Sequence, residues 1–299
     1  MVIVSHFIYM EFENYTYDEK REITKNFRNI TESNLEKDWI RLKECPNEIS
    51  PYCRIGNNSI DYFTLVERLN TKGNKGYSYY DLLYNFETLK EQPFIKRMLE
   101  KTKRPDKYKQ VRDIKLYYGS VAVFKSTIAR QFYMKYNPKV VLDFTMGWGG
   151  RLLGAASLNI PKYIGIDSNN NLEQCYRDMV SWLKPKSTTD IELHFIDCLK
   201  IDYSLLDYDM VFTSPPYYNL EIYSGTTHKS KDQWDKEFYE PIFRETFKHL
   251  QQGGYYCLNI NDDILNRVAL RTLGDYSSKI PLNISPRSSY KEFIYVWRK

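Results

Sequence analysis

The sequence predicts an α/β protein: a mostly parallel sheet closed by an antiparallel C-terminal strand, beside a smaller, mainly helical N-terminal region. Three observations predict this class. From about residue 111 onward, short β-branched runs alternate with amphipathic segments, as strands and helices do in an α/β sheet. A glycine-rich loop follows the first of these strands, and two prolines follow a later one. Residues 1–110 are instead polar, tyrosine-rich and only weakly helical in pattern.

The C-terminal part divides into alternating predicted strands and helices. The strands lie at 139–144, 162–167, 191–196, 208–213, 255–260 and 293–297. The helices lie at 126–136, 150–158, 169–183 and 235–250. Gly253-Gly254 after the last helix are typical of a helix stop before a strand. We therefore predict one domain at 1–110 and a second at 111–299.

Composition restricts the class of protein. The 299 residues are 42% hydrophobic with a net charge of +5, which supports a folded core and permits a nucleic-acid partner without requiring one. Base-stacking surfaces would use some of the 27 Tyr and 15 Phe, but A+T-rich codon usage is the favoured main cause of this aromatic content. The five cysteines and four histidines lack metal-site spacing, so we expect no metal and no disulfide framework. Without a basic leader or an apolar run of about 20 residues, we expect an intracellular protein with no membrane contact, of unknown oligomeric state.

The strongest functional signal is TSPPYY at 213–218, directly after the apolar run DMVF. Two prolines after a strand remove two backbone donors and fix a stiff, extended turn. Its carbonyls and the Ser214 hydroxyl would face the crevice where open α/β sheets bind ligands. Acceptors there suit the exocyclic amine of a nucleobase, because hydrogen bonds to Ser214 Oγ and the Pro215 carbonyl make the nitrogen more nucleophilic. Tyr217 would stack on the base, which must leave the duplex.

The second signal is VLDFTMGWGGRLLGA at 141–155, a strand followed by a glycine loop and a helix of small residues. Glycines here let the backbone approach a ligand closely. The spacing is not GxGxxG, so nothing indicates a nicotinamide cofactor. Met146 and Trp148 in the loop are either pocket walls or packing. The motif contributes four candidate residues: Asp143, Phe144, Gly147 and Gly149.

Acidic residues close the next two strands. Asp167 in GIDSN ends the second strand, where a carboxylate can accept both hydroxyls of a ribose. Asp197 in FIDC ends the third strand and could meet an adenine amino group. A buried or capping carboxylate is the alternative for each.

In this order, DFTMGWGG, GIDSN, IDC and TSPPYY resemble the S-adenosylmethionine-dependent DNA amino-methyltransferases, most closely the cytosine-N4 type. The resemblance covers about residues 118–260 and extends to the strand at 293–297. It implies a Rossmann-like methyltransferase sheet, S-adenosylmethionine as cofactor and DNA as partner. The family's target-recognition region is short here, so recognition would fall to residues 1–110 and the loop at 219–234.

The resemblance also implies roles for individual residues. The catalytic corner would consist of Ser214, Pro215, Pro216 and Tyr217. The cofactor would be bound by Asp143, Phe144, Gly147, Gly149, Asp167, Asp197 and Cys198. Phe124 and Lys125 would join them, because VFKSTIARQF at 123–132 looks like the family's cofactor-covering segment.

The sequence leaves two questions open: which base is the substrate, and whether the basic segment at 96–115 contacts nucleic acid. Serine at position 214 indicates cytosine, but adenine-N6 methylation of DNA, base-amino methylation of RNA and a nucleic-acid-binding protein without turnover are alternatives. The segment 96–115 carries many more Lys and Arg than Asp and Glu. It predicts nucleic-acid contacts from Lys103, Arg104 and Lys107, and a solvated helix face is the alternative.

Overall fold

The computed structural model describes residues 11–46, 50, 52–73, 75–119, 121–218, 221–222, 229–282 and 292–299. By their contacts, these residues divide into two compact units. Unit 1 falls within Met1–Asn29, Leu65–Val121 and Glu221–Tyr223, and unit 2 within Ile30–Thr64, Ala122–Leu220 and Ser224–Lys299. The division differs from the predicted boundary at 110/111, because residues 30–64 pack with unit 2 and residues 111–119 with unit 1.

In chain order, the first helices are α1 (Tyr17–Phe27), α2 (Glu32–Glu44), α3 (Asn57–Asn70), α4 (Tyr79–Tyr84), α5 (Phe86–Lys90), α6 (Pro93–Thr102) and α7 (Lys107–Tyr117). The later helices are α8 (Ser126–Tyr136), α9 (Gly150–Ser157), α10 (Glu173–Leu183), α11 (Lys231–Trp234), α12 (Glu240–Lys248), α13 (Asp262–Ile264) and α14 (Leu270–Leu273). The strands are β1 (Lys72–Gly73), β2 (Val140–Asp143), β3 (Lys162–Asp167), β4 (Asp190–Phe195), β5 (Met210–Thr213), β6 (Glu221–Ile222), β7 (Tyr255–Ile260), β8 (Ser278–Leu282) and β9 (Glu292–Arg298). Two π-helical turns, Asp235–Tyr239 and Leu265–Ala269, lie before α12 and before α14.

Unit 2 contains a seven-stranded sheet in the order β4-β3-β2-β5-β7-β9-β8. The first five strands in that order are parallel, and β9 runs antiparallel to both β7 and β8. The predicted fold class is therefore confirmed. The prediction omitted β8, a short edge strand that contains Pro281, and an edge position tolerates the missing backbone donor.

The strand order places the functional motifs. From β2 the chain adds β3 and β4 on one side, and it then returns to place β5 on the other side of β2. Open α/β sheets bind ligands at such a reversal, outside the carboxyl ends of the strands. The glycine loop follows β2 and the Ser-Pro-Pro corner follows β5, so both motifs lie at this point.

Unit 1 is mainly helical, as the N-terminal sequence predicts. Its helices begin at well-formed caps: Thr16 before α1 and Ser78 before α4 each form a reciprocal capping box. Tyr79, Tyr80 and Leu82 of α4 are fully buried in its apolar core, against Val111 and Ile114 of α7 among others. Within the described ranges, the helices are too short or too polar to cross a membrane.

Candidate active site at the carboxyl ends of β2, β3 and β5

Side chains join the carboxyl ends of β2 and β5. Thr213 Oγ1, at the end of β5, donates to Asp143 Oδ1 over 2.8 Å. The same hydroxyl lies 2.6 Å from Thr145 Oγ1 in the glycine loop. The next residue after Thr213 is Ser214. The glycine loop and the Ser-Pro-Pro corner therefore lie side by side at one edge of the sheet.

A buried ion pair fixes this junction. Arg151 in α9 binds Asp143 through two hydrogen bonds of 2.7 and 3.1 Å, and Tyr163 donates a third of 2.6 Å. Asp143 is 0% exposed and Arg151 is 3% exposed. Arg151 also donates to the Thr145 carbonyl over 2.5 Å. Both carboxylate oxygens accept hydrogen bonds from the protein and are enclosed, so this carboxylate holds the loop. The predicted cofactor contact of Asp143 stays a prediction.

Two further predicted cofactor residues belong to the core. Phe144 is 1% exposed and Cys198 is 5% exposed, and both lie in the main apolar cluster of unit 2. Burial raises the pKa of Cys198, so its thiol is neutral. Both side chains therefore pack in the core, and the predicted cofactor contacts of Phe144 and Cys198 stay predictions. Met146 and Trp148 are also buried.

The two glycines of the loop have different surroundings. Gly147 and Gly149 have φ values of +59° and +88°, in the left-handed region that favours glycine. A Cβ at Gly149 would lie 2.7 Å from Met179 Cε, whereas the nearest neighbour of a Cβ at Gly147 would be 3.9 Å away. The Tyr176 hydroxyl in α10 donates to the Gly147 carbonyl over 2.9 Å. The Tyr176 hydroxyl therefore holds the loop through the Gly147 carbonyl, while the side of Gly147 where a Cβ would lie is open.

Asp167 is an available carboxylate at the end of β3. It is partly exposed, Oδ2 accepts from the Gly147 amide over 2.9 Å, and Oδ1 accepts from the Asn169 amide over 2.9 Å. Burial raises the pKa of Asp167 to about 6, although these two backbone donors oppose the shift. A carboxylate oxygen has two acceptor positions, so each oxygen can accept one more hydrogen bond.

Asp197, at the end of β4, has a capping role on one oxygen. Its Oδ1 accepts from the Leu199 amide over 3.0 Å at the start of a short helical turn. Two apolar side chains beside it are exposed: Ile196 and Leu199 are each 39% exposed. The capping alternative therefore applies to Oδ1, and the adjacent surface offers apolar contact for a planar group.

Asn259 in β7 holds the Ser-Pro-Pro corner from one side. Its amide nitrogen donates to Ser214 Oγ over 3.3 Å, and the Tyr217 hydroxyl donates to its backbone carbonyl over 3.1 Å. Asn259 is 2% exposed, and its Oδ1 has no hydrogen-bond partner within the described ranges. The sequence analysis missed this residue, and the available signal was a polar side chain in the otherwise apolar strand YYCLNI.

Tyrosines hold the corner from the other side. The Tyr239 hydroxyl donates to the Pro216 carbonyl and accepts from the Tyr218 amide over 3.0 Å. Tyr218 has a φ of +51°, which is uncommon for a residue with a bulky side chain and is typical of strained functional turns. Its hydroxyl donates to the buried Asp235 over 3.0 Å. The corner is therefore a fixed element rather than an ordinary surface turn.

The segment at Phe124 lies against the start of α9. A Cβ on Gly150 would clash with the Phe124 carbonyl, so this approach requires glycine at position 150. The Phe124 ring lies 5.0 Å from the Arg151 guanidinium carbon. Lys125 is half-buried, and burial lowers its pKa. The structure thus brings the predicted covering segment to the glycine loop, while its role toward a cofactor stays a prediction.

Arg151 is the most consequential residue that the sequence analysis missed. Its signal was a single charged residue within the small, apolar helix sequence GRLLGAAS, all of which is buried. A charge enclosed in this way requires a partner. The sequence gives no comparable signal for Tyr163 or Tyr176.

The predicted nucleic-acid contacts all lie in unit 1. Lys103 ends α6 with a φ of +49°, and Lys107 begins α7; both are exposed. Arg104 donates to Asp113 over 2.9 Å, which partly neutralises its charge. DNA binding by these residues stays a prediction. In the predicted recognition loop at 219–234, residues 219–220 and 223–228 lie outside the described residues.

Similarity to known proteins appears only among solved structures. No family model and no curated protein matches the sequence. TrmN from Thermus thermophilus is 16% identical with a TM-score of 0.42, and the match covers 58% of this chain and 48% of TrmN. TehB from Haemophilus influenzae is 16% identical with a TM-score of 0.42, covering 62% of this chain and 66% of TehB. The N-methyltransferase NodS from Bradyrhizobium japonicum WM9 is 11% identical with a TM-score of 0.42, covering 58% of this chain and 93% of NodS.

The chain thus spans about half the length of TrmN and slightly less than two thirds of TehB. Similarity of this size carries no conclusion about substrate or reaction. Any assignment of activity therefore depends on the geometry of the site.

Proposed function

We propose that this protein transfers a methyl group from S-adenosylmethionine to the exocyclic N4 amine of cytosine in DNA. The observation that carries the proposal is the double contact of Thr213 with Asp143 and Thr145. It joins the predicted cofactor loop to the predicted catalytic corner at the point where the strand order reverses. Methyl transfer requires such proximity, because the methyl group must pass from the ligand of one motif to the ligand of the other.

The chain offers matching groups for the cofactor. The free acceptor positions of Asp167 suit the two ribose hydroxyls, and the open face above Gly147 leaves space for the amino-acid part. Ile196 and Leu199 provide apolar contact for the adenine, with Asp197 beside its amino group. When bound, S-adenosylmethionine supplies a methyl carbon attached to a positively charged sulfur. Phe124 and Lys125 would cover this site from the start of α9.

Ser214 would prepare the amine by accepting a hydrogen bond from one of its N–H groups. Because the Asn259 amide donates to Ser214 Oγ, that oxygen is oriented as an acceptor and retains a second acceptor position for the substrate. The Pro215 carbonyl would accept a hydrogen bond from the other N–H group. Together these two acceptors would draw the nitrogen lone pair out of the ring and toward the methyl carbon. With S-adenosylmethionine bound, the nitrogen–carbon bond would form as the carbon–sulfur bond breaks, and the nitrogen would then lose one proton to solvent.

Tyr217 completes the base pocket. Its hydroxyl is tied to the end of β7, and part of its ring packs on the core, so the position of the ring is fixed. A flipped base would stack on this ring, as enzymes that modify a base within a duplex require. The backbone of the DNA would contact Lys103, Arg104 and Lys107, and unit 1 would contribute to recognition of the target.

The test is transfer of labelled methyl from S-adenosylmethionine to pools of DNA, RNA and protein, followed by nucleoside analysis. We expect label in N4-methylcytosine. Label in N6-methyladenine of DNA, or in RNA, would change the substrate and leave the chemistry intact. Cofactor binding with no label in any pool would refute the enzymatic proposal and favour a binding protein.

Three variants separate the proposed roles. Ser214→Ala and Tyr217→Ala should lower turnover by about 100-fold, with little change in cofactor affinity, because they contact the base. Asp167→Ala should mainly weaken cofactor binding. Equal loss of cofactor affinity in all three would contradict the assignment.

The predicted DNA contacts have a separate test. Charge reversal at Lys103, Arg104 and Lys107 should weaken DNA binding and flatten its dependence on salt concentration. If the salt dependence did not change, these residues would belong to a solvated helix face that does not contact DNA.

A further inference from the structure

A continuous series of aromatic rings crosses the surface of unit 1. Neighbouring ring centroids are separated by 4.7, 5.5, 6.1 and 6.2 Å. The rings, in spatial order, are Phe94, Tyr117, Tyr118, Tyr77 and Phe12. We call these five residues the aromatic ridge. They come from four separate stretches of the chain, so tertiary structure brings them together.

The ridge is accessible along much of its length. Phe94 and Tyr117 are each 49% exposed, and Phe12 is 63% exposed. Tyr77 and Tyr118 between them are partly exposed. A tyrosine-rich composition explains isolated exposed rings, but it does not explain an uninterrupted series in mutual contact.

Two lysines from one turn lie over the ridge. Lys75 Nζ is 3.4 Å from the centroid of Tyr117 and 5.2 Å from that of Tyr118. Lys72 Nζ is 4.0 Å from the centroid of Phe12. A positive charge over an aromatic face is attracted to the ring and still presents its donors to an anion. The ridge thus combines a series of aromatic rings, tilted or edge-to-face to one another, with two cations beside them.

The turn that carries these lysines is anchored from within. Lys115 is buried, and its amine donates to the Tyr77 carbonyl over 2.7 Å and to the Thr71 carbonyl over 3.3 Å. A Cβ on Gly73 would lie 2.5 Å from the Gly119 carbonyl oxygen, so the backbone of the turn presses directly against the chain that follows α7. The turn is therefore prearranged, which lowers the ordering cost of binding.

We propose that the aromatic ridge binds single-stranded DNA, with unpaired bases stacked on its rings and phosphates beside Lys72 and Lys75. Surfaces that bind single strands without sequence preference combine stacking rings with positive charge in this way. A paired base in a duplex exposes no face to these rings, which favours an unpaired strand. The choice of DNA as the nucleic acid rests on the proposed function.

The experiment is fluorescence anisotropy of the full chain with a labelled oligothymidine of about 12 nucleotides, a length within the range that such surfaces span. No S-adenosylmethionine is present, so binding is measured apart from methyl transfer. Tyr117→Ala should raise the Kd by about 10-fold, because stacking of one base contributes that much. Tyr117→Phe keeps the ring and should bind like the wild type.

Tyr84→Ala is the matched control, since Tyr84 is an exposed tyrosine of the same unit that lies outside the ridge. It should leave the Kd unchanged, and thermal unfolding of each variant checks that the fold is intact. Lys75→Ala should reduce the salt slope by about 0.7, the value for one phosphate contact on a single strand. Lys90→Ala, which removes a lysine paired with Glu87, should not reduce it.

Three outcomes would overturn the proposal that the aromatic ridge binds single-stranded DNA. Tyr117→Ala could bind oligothymidine as tightly as the wild type, Tyr84→Ala could lose as much affinity as Tyr117→Ala, or ring-dependent binding could be tighter for RNA than for DNA. Ring-dependent binding of DNA by a protein that methylates no nucleic acid would instead remove the proposed function and leave the ridge standing. The two proposals therefore fail by different measurements.

Discussion

Two aspartates end neighbouring strands of the same sheet, yet their surroundings differ completely. Asp143 at the end of β2 is fully enclosed and binds Arg151, Tyr163 and Thr213. Asp167 at the end of β3 is partly exposed and accepts hydrogen bonds from two backbone amides. The first carboxylate is a structural element of the junction, and the second is free to bind a ligand. An acidic residue at a strand end therefore marks the side of the sheet where the parallel strands end. Its burial decides whether the carboxylate supports the structure or can bind a ligand.

We expect the largest difference between Asp143 and Asp167 in how much the aspartate-to-asparagine substitution lowers the stability of the fold. Asp143→Asn leaves the buried Arg151 without its counter-charge, and the loss of one partner from a buried ion pair costs about 3–5 kcal/mol. We expect the free energy of unfolding in urea to fall by this amount. Asp178→Asn, on the exposed face of α10, is the matched control and should have almost no effect. A loss below about 1 kcal/mol for Asp143→Asn would mean that the pair is not structural.

Asp167→Asn should affect ligand binding and not stability. It keeps the shape of the side chain but weakens its hydrogen bonds to the ribose hydroxyls, because charged acceptors bind about twice as strongly as neutral ones. We expect the Kd for S-adenosylmethionine, measured by calorimetry, to rise by about 10-fold to 100-fold. Unfolding should change little at neutral pH, because two effects oppose each other. The amide nitrogen of asparagine cannot accept one of the two backbone hydrogen bonds, whereas its neutral side chain removes a charge that burial disfavours. A strongly destabilised variant would place Asp167 in the same class as Asp143.

Cofactor affinity should also depend on pH through Asp167. The ribose hydroxyls donate to the ionised carboxylate, so the affinity is fully present above the pKa of about 6 and is lost as the pH falls. Below that value the Kd should rise by about 10-fold for each pH unit. The Asp167→Asn variant removes the titrating group, and its Kd should change much less between pH 5 and pH 7. The same dependence in both proteins would assign the titration to another group.

The smallest effect should come from Tyr163, which donates one of the hydrogen bonds to Asp143. Burial and the neighbouring carboxylate raise the pKa of Tyr163, so its hydroxyl always carries a proton to donate. Tyr163→Phe should lower the free energy of unfolding by about 1 kcal/mol, because Arg151 still neutralises the charge. The Kd for S-adenosylmethionine should not change. If Tyr163→Phe instead weakened S-adenosylmethionine binding and left the free energy of unfolding unchanged, the hydrogen bond to Asp143 would serve the ligand site and not only the stability of the fold.

The sequence predicted most of the elements of unit 2. Strand β3 and strand β7 begin and end where their apolar runs do, and α8 matches its predicted range. These segments are specified by local periodicity, which survives in a single sequence. The contact-based division of the chain was not predicted, because residues 30–64 belong to unit 2 through contacts with residues far along the chain.

By itself, the sequence determined the order of strands and helices, the glycine loop, and the corner after β5, because glycine, proline and alternating polarity constrain the backbone locally. Tertiary structure decided which of the polar residues are enclosed. Asp143 meets Tyr163 across 20 positions and Thr213 across 70, and Asn259 meets Ser214 across 45. Burial depends on such distant neighbours. Only the folded chain therefore distinguishes a carboxylate that supports the structure from one that can accept further hydrogen bonds.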